Sequence, residues 1–564
     1  MIYFENYQKW CLAKLPIDIQ NELAEIAGND EELKSRFGSD LQFGTAGMRG
    51  IMGVGSNRLN RYTVRRAAQG MAAWLRGTDL PQKAAIGYDS RHNSKLFAEV
   101  CATAFAEAGI QVWLYNRLAP TPMLSFAVRE LGCGCGIVIS ASHNAGVYNG
   151  VKCYGPDGCQ MTDEPAAIVT DKIKQIPYFV PESKSFDTLL REGMICYIDQ
   201  DIWEKYYQTV LSEAVNPEVL RDAGLNVVYT PLCGTGNEPV REILGRLGVN
   251  VTVVSSQEKP DGDFKTCEYP NPETDAALNE SYKVAQSTLC DVILGTDPDA
   301  DRVAIAVPDG DGFRKLTGNE LGCMLLDYIL MSRSERGDLP VGAEVVRSIV
   351  TTPLADRIAE HYGVQIKTVL TGFKYIGGEI LELERKNQKE RFVFGFEESC
   401  GYLKGTYARD KDAIVASMLV CEMAAYLKQN GKTILSALDD LYKTYGYYYA
   451  YVQSVELEGA DAMDKAAKIM SDIRAETPET IGGAKVTGVR DYQIKRSVDL
   501  ITGETSDIHL PKSNVLELLL GEKGSVIVRP SGTEPKVKYY YTVVGDTKEL
   551  AKALLDACVK QMSM

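Results

Sequence analysis

The sequence predicts an α/β protein with three comparable α/β domains in series and a smaller C-terminal α+β domain. Between about residues 40 and 445, short apolar strand segments alternate with helical segments over short links. This pattern is typical of helices layered on a parallel sheet. After about residue 445 the pattern changes to longer strand segments with two helices. We place the domain limits at 1–195, 196–313, 314–444 and 445–564.

The first domain begins with helical residues and continues as alternating helices and strands. The apolar spacing of residues 7–27 predicts a helix that is broken at Pro16. Beyond it we predict helices at 61–76 and 94–108 and strands at 84–88, 110–115 and 134–140. The last of these strands ends in a polar loop.

The later domains follow the same reasoning. In the second and third domains we predict helices ending near 213 and spanning 237–247 and 319–331, and strands at 226–230, 249–254, 291–295, 303–307, 344–350, 365–370 and 391–396. In the C-terminal domain we predict strands at 445–457, 526–529 and 537–544, with residues 478–512 rich in loops.

The composition excludes several classes of protein. A chain of 564 residues with a net charge of −15 has no basic cluster of the kind that binds nucleic acid. No stretch approaches the roughly 18 apolar residues of a membrane helix. The 14 cysteines are scattered singly, and the N-terminus lacks a signal-peptide pattern. We therefore expect a cytoplasmic protein with no membrane or nucleic-acid partner.

Three acidic residues, Asp297, Asp299 and Asp301, lie between two apolar strand segments. In an extended backbone, residues two apart point the same way, so we expect the three carboxylates to converge. Converging carboxylates need a hard divalent cation, and oxygen-only ligands suit Mg²⁺ or Ca²⁺. The alternative is a solvated acidic turn. An EF-hand is disfavoured because Pro308 occupies its twelfth position.

Ser142, followed by His143, comes at the carboxyl end of a predicted parallel strand, where α/β proteins bind ligands. A serine nucleophile needs a base or a metal. The chain has no G-x-S-x-G segment, which disfavours an acyl-transfer hydrolase. Ser142 could instead satisfy backbone groups in a turn. Lys152 is either a proton-transfer group or a surface lysine.

Several other segments carry groups that suit phosphate or sugar binding. Glu397 and Ser399, two residues apart, could accept hydrogen bonds from adjacent sugar hydroxyls. Near the C-terminus, a strand is followed by residues that would make a phosphate cradle or an ordinary turn, namely Arg529, Ser531, Gly532 and Thr533. Arg49 lies on a glycine-rich loop. Lys411 lies at a helix start, where a solvated turn is the alternative.

Together these motifs resemble one family, the α-D-phosphohexomutases. The segments FGTAGMRG, GYDSR, SASHNAGVYNGVK, DPDADR, LTGNE, TGFKYIG, GFEESCGY and RPSGTEP occur in the family's order, from about Gly44 to Thr542. The resemblance implies four domains around a central cleft. The FGTAG and GFEES forms look most like the longer phosphoglucomutase and phosphopentomutase branch.

The resemblance also implies roles for individual residues. Ser142 matches the serine that carries phosphate, and the metal site would comprise one Mg²⁺ per subunit held by Asp297, Asp299, Asp301 and phosphorylated Ser142. The other catalytic positions are His143, Lys152, Arg49 and Lys411. The substrate-binding positions are Arg302, Glu397, Ser399, Arg529, Ser531, Gly532 and Thr533.

The implied reaction interconverts glucose 1-phosphate and glucose 6-phosphate through a phosphoserine and glucose 1,6-bisphosphate, which also acts as activator. The alternatives are a phosphopentomutase, a phosphomannomutase, a glucose 1,6-bisphosphate synthase, or a non-enzymatic phosphosugar-binding regulatory protein. The sequence departs from the family pattern at Ala145, where a proline is usual, and at Cys233, where a histidine is usual. The expected partner is a small phosphosugar, and the oligomeric state stays open.

Overall fold

The computed structural model describes residues 2–44, 47–457, 462–531 and 536–562. It divides into two compact units, and each is described by itself. Unit 1 comprises Met1–Gly318, Ile376–Gly395 and Ser399–Gly431, and unit 2 comprises Asn319–Tyr375, Phe396–Glu398 and Lys432–Met564. No helix among the described residues is both long and apolar enough to span a bilayer.

The helices of the described residues are α1 (Ile2–Leu12), α2 (Ile17–Glu25), α3 (Asp30–Phe37), α4 (Arg61–Arg76), α5 (Ser94–Glu107), α6 (Thr121–Glu130), α7 (Asp163–Lys174), α8 (Phe186–Arg191), α9 (Gln200–Ser212), α10 (Glu218–Arg221), α11 (Asn237–Arg246), α12 (Ser255–Glu258), α13 (Asp275–Ser287), α14 (Gly318–Arg336), α15 (Leu354–His361), α16 (Phe373–Arg385), α17 (Ala413–Gln429), α18 (Ile434–Tyr445), α19 (Ala462–Ala475) and α20 (Lys548–Met562).

The strands of the described residues are β1 (Gly47–Ile51), β2 (Lys83–Tyr88), β3 (Gln111–Leu114), β4 (Cys135–Ile139), β5 (Tyr148–Tyr154), β6 (Ile195–Tyr197), β7 (Asn226–Thr230), β8 (Asn250–Val253), β9 (Val292–Thr296), β10 (Val303–Asp309), β11 (Gly312–Lys315), β12 (Glu344–Ser348), β13 (Gln365–Val369), β14 (Phe392–Glu397), β15 (Gly401–Leu403), β16 (Tyr447–Glu456), β17 (Thr480–Ile481), β18 (Ala484–Lys485), β19 (Gly488–Asp491), β20 (Arg496–Asp499), β21 (Thr505–Asp507), β22 (Leu516–Leu519), β23 (Gly524–Pro530) and β24 (Lys536–Gly545).

The first sheet of unit 1 has the strand order β1-β5-β4-β2-β3-β6. Strands β2, β3, β4 and β6 pair in parallel, and β5 returns antiparallel between β4 and β1. The carboxyl ends of parallel strands share one edge of a sheet. The polar segments that follow β2 and β4, which contain Arg91 and Ser142, therefore emerge at the same edge.

The second sheet of unit 1 has the order β11-β10-β9-β7-β8. Strands β8 and β9 pair in parallel with β7, whereas β10 turns back antiparallel onto β9. The apolar helix α17 packs against α10, α11, β9 and β10. The acidic segment is therefore a tight connection between two buried strands, as its flanking residues predict.

Unit 2 contains the parallel pair β12–β13 and a seven-stranded antiparallel sheet with the order β16-β24-β23-β22-β19-β20-β21. Val526, Val528 and Leu518 lie in its core, with α19 and α20 contacting strand β24. Residues 478–512 were predicted to be rich in loops. They contain the five short strands β17–β21, of two to four residues each, which are too short to leave a clear alternation in the sequence.

Candidate active site

Ser142 lies three residues after the end of β4 and has a left-handed backbone, φ = +52°. Its hydroxyl donates to Asp297 Oδ2 at 2.7 Å and lies 3.1 Å from His143 Nδ1. Its N–H donates to Ser140 Oγ at 2.8 Å. A positive φ is uncommon for a residue with a side chain and is concentrated at functional sites. The geometry therefore favours a functional serine over one that satisfies a turn.

Asp297, Asp299 and Asp301 converge and are buried, with exposed fractions of 0%, 0% and 1%. One oxygen from each carboxylate lies within 4.8 Å of the others. The predicted convergence is confirmed, and the solvated turn is excluded by burial.

The extended backbone that was expected for this segment is wrong. Residues 298–299 form a turn in which Ala300 N–H donates to Asp297 O at 2.9 Å and Ala300 has φ = +52°. The Asp297 carboxylate closes the turn, because its Oδ1 accepts the N–H groups of Asp301 and Arg302 at 3.1 and 3.0 Å. A turn, and not the two-residue alternation of a strand, brings the acids together.

Two buried lysines contact these acids. Lys152, on β5, has its Nζ 2.5 Å from Asp299 Oδ2 and 3.0 Å from Asp301 Oδ2. Lys411, just before α17, has its Nζ 2.9 Å from Asp301 Oδ2. The alternatives of a surface lysine at 152 and a solvated turn at 411 are therefore wrong, because both side chains reach the carboxylates of the turn.

The electrostatics of the three acids differ. Burial opposes ionisation of Asp301, but the ammonium groups of Lys152 and Lys411 outweigh it and hold the pKa of this carboxyl well below its usual range. Burial, together with the charges of Asp301 and Asp299, raises the pKa of Asp297. Asp297, for which the described residues show no ion pair with either lysine, thus has the least compensated charge.

The three acids fit a hard divalent cation. Asp299 Oδ1 and Asp301 Oδ1 are buried and accept no hydrogen bond from the described residues. A buried carboxylate oxygen without a partner is costly unless a cation satisfies it. The donors are all oxygen, which suits Mg²⁺.

A residue that the sequence reasoning missed positions one of these acids. Thr121, at the start of α6, donates its hydroxyl to Asp299 Oδ2 and its N–H to Asp299 O, both at 2.9 Å. The only sequence signal is a threonine before a proline at a helix start. Such a residue is common at helix starts of any function, so its contact needed the structure.

The cationic and imidazole groups around Ser142 have defined partners. Arg49 was expected on a loop, but it lies within strand β1, paired with β5, and donates to Asn144 Oδ1 at 2.9 Å. Arg302 donates to Glu273 Oε1 at 2.7 Å, another contact that the sequence did not suggest. Burial and the charges of Arg302 and Arg49 hold the pKa of His143 well below its usual range, so its imidazole is neutral at neutral pH.

The remaining predicted residues belong mostly to unit 2. Glu397 Oε1, at the end of β14, accepts the N–H of Gly372 at 2.7 Å. Arg529 is the penultimate residue of β23, and the N–H of Ser531 donates to Lys536 O at 2.8 Å. Burial raises the pKa of Tyr540 to about 12, with the charge of Glu398 adding to this and Arg529 opposing it, so both lie near this ring.

The structure therefore brings together one large group of predicted residues within unit 1, namely Ser142, His143, Lys152, Arg49, Asp297, Asp299, Asp301, Arg302 and Lys411. Ser399 is a half-buried residue of unit 1, while Glu397, Arg529 and Ser531 belong to unit 2. Gly532 and Thr533 lie outside the described residues.

Comparison with protein families gives four successive matches. Residues 40–178, 204–310 and 317–445 match the models of phosphoglucomutase/phosphomannomutase α/β/α domains I, II and III. Residues 495–560 match the model of the C-terminal domain of the same proteins. The four matches agree with the predicted fold class of three α/β domains followed by a C-terminal domain.

Similar proteins cover nearly the whole chain. A phosphoglucomutase of Staphylococcus epidermidis is 37% identical over 92% of this chain and 93% of its own length. One of Staphylococcus aureus strain USA300 is 36% identical over 95% of this chain and 97% of its own length. Among solved structures, pp63/parafusin, a phosphoglucomutase of Paramecium, shares the fold with a TM-score of 0.68 and 16% identity, over 93% of this chain and 94% of that chain.

Proposed function

The chain belongs to the phosphoglucomutase/phosphomannomutase family, the α-D-phosphohexomutases, and from this premise we propose that it interconverts glucose 1-phosphate and glucose 6-phosphate. It is an enzyme, an intramolecular phosphotransferase of the isomerase class. The observation that carries the proposal is the contact of the Ser142 hydroxyl with Asp297 inside the buried, lysine-lined acidic turn.

In the proposed reaction Ser142 carries the phosphoryl group. The P–O bond to Ser142 Oγ breaks as the phosphoryl group passes to the free hydroxyl of a sugar monophosphate, which gives glucose 1,6-bisphosphate. After the bisphosphate has turned end for end, its other phosphoryl group returns to Ser142. The proton lost by one sugar hydroxyl is balanced by the proton gained at the other.

Phosphoryl transfer depends on positioning and on offsetting negative charge. Lys152 and Lys411 provide fixed positive charge beside the acids, and Arg49 and Arg302 are proposed to face the transferring group. Asp297, Asp299, Asp301 and an oxygen of phosphorylated Ser142 would hold one Mg²⁺ per subunit. When bound, this ion would supply further positive charge at the transferring phosphoryl group.

The substrate contacts form a second part of the proposal. Glu397 and Ser399 would accept hydrogen bonds from sugar hydroxyls. The phosphate that is not reacting would bind to Arg529, Ser531, Gly532 and Thr533. We further propose His143 as a catalytic group, glucose 1,6-bisphosphate as activator, a cytoplasmic location, and the domain limits 1–195, 196–313, 314–444 and 445–564.

A substrate panel tests the sugar. Purified protein with Mg²⁺ and a trace of glucose 1,6-bisphosphate is supplied with the 1-phosphates of glucose, mannose and ribose, and each product is measured. We expect the highest kcat/KM with glucose 1-phosphate. Preference for mannose or ribose phosphate, or net accumulation of bisphosphate, would replace the proposed reaction by the corresponding mutase or synthase.

The phosphoserine is tested separately. Intact-mass measurement and peptide mapping should find an added mass of roughly 80 Da, the mass of HPO₃, on the peptide that contains Ser142. Ser142→Ala should lack both this mass and turnover while keeping the fold. If Ser142 is not phosphorylated after incubation with glucose 1,6-bisphosphate, the proposed reaction is wrong and the alternative of a phosphosugar-binding protein is favoured.

A further inference from the structure

The loop that carries Ser142 needs an external restraint. Ser142 has a positive φ, which a residue with a side chain rarely adopts unless its surroundings impose it. The loop continues through Asn144 and Ala145 to β5 at Tyr148. Ala145 stands where the family usually has proline, so its own backbone is less restricted than a proline would be.

Arg91 provides such a restraint. Its Nη2 donates to the carbonyl oxygens of Ser142, at 2.6 Å, and Asn144. Its Nη1 donates to the carbonyl oxygens of Ala145 and Tyr148 at 2.8 and 3.0 Å. One guanidinium thus holds four carbonyl groups of a single loop, which only the planar fork of arginine can do.

Arg91 is itself fixed from the other side. Its side chain is buried, its Nε lies 3.3 Å from Asp89 Oδ2, and its guanidinium lies 4.9 Å from the ring centre of Phe264. Asp89 Oδ1 accepts the Arg91 N–H at 3.0 Å and the Ser94 hydroxyl at 2.7 Å. The restraint is therefore a rigid buried network and not a flexible surface contact.

We propose that Arg91 is a positioning residue that holds the serine loop in the conformation that presents the Ser142 hydroxyl to Asp297. A proline at position 145 would help to restrain this loop. Because this chain has alanine there, Arg91 carries more of the restraint. Arg91 contacts the loop backbone and not the reacting atoms. The predicted effect on kcat rests on the proposed function, whereas the predicted effect on the loop does not.

The first test replaces the fork by a single ammonium group. Arg91→Lys keeps the charge that compensates buried Asp89 but loses the fork that holds the four carbonyls. We expect faster amide hydrogen exchange in the peptide containing residues 141–148, and a kcat lower by roughly tenfold to a hundredfold, since small misplacements of reacting groups have effects of this size. KM should stay within about twofold, because no sugar contact changes.

The second test restores the restraint from within the loop. In the described part of the chain the Ala145 N–H donates no hydrogen bond, so Ala145→Pro removes no contact of that group. Combined with Arg91→Lys, it should slow exchange of the loop peptide and recover several-fold of the lost kcat. In the wild-type background it should change kcat little.

Arg66→Lys is the matched control. Arg66 is also a buried arginine of unit 1, and it donates to the carbonyl oxygens of Ile176 and Ile173 at 2.9 and 3.1 Å. Its variant should lose stability without changing exchange at 141–148 or kcat. Should Arg91→Lys not fold, Ser94→Ala, which removes the hydrogen bond to Asp89 Oδ1 and the one accepted from Asn149 on β5, provides the same two measurements.

Two results would overturn the inference. One is loop exchange in Arg91→Lys that is as slow as in Arg66→Lys. The other is a kcat loss that Ala145→Pro does not relieve at all. The exchange measurement needs no turnover, so it tests the restraint even if the substrate panel shows that the proposed reaction is wrong.

Discussion

At the scale of single residues, the site is a set of buried charges that compensate one another. Asp299 has one oxygen paired with Lys152 and Thr121 and another with no partner among the described residues. Burying such a carboxylate is costly unless each oxygen is satisfied. The oxygen without a partner distinguishes Asp299, as a metal ligand, from an acid that only pairs with a lysine.

Asp299→Asn should weaken Mg²⁺ binding and lower activity by orders of magnitude, because a neutral ligand replaces a charged one at a site that depends on charge. Isothermal titration with Mg²⁺ and assays across Mg²⁺ concentration measure both effects. Asp309→Asn, an exposed acid at the end of β10, is the control. Wild-type activity that survives exhaustive chelation would contradict a catalytic metal here.

Arg529→Ala should raise KM for the sugar phosphate and make turnover depend on added glucose 1,6-bisphosphate, because the bisphosphate would escape before it reorients. A charge-assisted hydrogen bond contributes about 1.5–3 kcal/mol, or roughly tenfold to a hundredfold in affinity. Steady-state kinetics with and without bisphosphate measure this. Lys523 is an exposed residue of the same sheet region, and the control Lys523→Ala should behave as wild type. If Arg529→Ala changes neither KM nor the dependence on bisphosphate, the residues after β23 form an ordinary turn and not a phosphate site.

At the scale of elements, the acidic turn is held by the segment that follows β7. Thr235 N–H donates to Pro298 O at 2.8 Å, and a Cβ placed on Gly234 would lie 2.4 Å from Pro298 Cα. Backbone of the two segments therefore packs so closely that only glycine fits at 234. The geometry of the three acids thus depends on the loop that follows β7, a strand of the same sheet.

Gly234→Ala should displace the acidic turn, because the new methyl group overlaps backbone atoms that cannot swing away. We expect weaker Mg²⁺ binding and a lower melting temperature. Gly245→Ala is the matched control, since a Cβ there meets nothing within 4 Å, and helix α11 should gain at most about 1 kcal/mol. Unchanged Mg²⁺ affinity in Gly234→Ala would show that the turn keeps its shape without this contact.

At the scale of the whole molecule, the three acids and both lysines belong to unit 1, and the seven-stranded sheet belongs to unit 2. A ligand stabilises the part of a protein whose folded state it binds, by about 2.7 kcal/mol at a hundredfold excess over its Kd. The effect of Mg²⁺ should therefore be unevenly distributed along the chain.

Addition of Mg²⁺ should slow amide hydrogen exchange in peptides that cover β9, β10 and residues 404–412, and leave β22 and β23 unchanged. Hydrogen-exchange mass spectrometry at fixed pH measures this directly. Asp299→Asn should abolish the difference. Equal protection across both units would argue against a site confined to the acidic turn.

The sequence by itself determined the approximate limits of those elements that its apolar spacing predicts, and the identity of the group around Ser142. Helix α4 begins and ends where the apolar spacing predicts, and strand β7 likewise, because periodicity and breakers are local properties. The motifs could also be recognised from the sequence, because binding of phosphate and Mg²⁺ needs particular residue types in short segments.

Only the tertiary structure decided how these groups meet. Lys411 lies 110 positions from Asp301, and Thr121 178 positions from Asp299, so no local pattern reveals either contact. The acids converge through a turn that a neighbouring backbone confines, and Arg91 restrains a loop whose carbonyls are more than 50 positions away. Local sequence propensity does not predict such contacts. A buried charge is compensated by groups from distant parts of the chain, which only the packing of the sheets brings within hydrogen-bond distance.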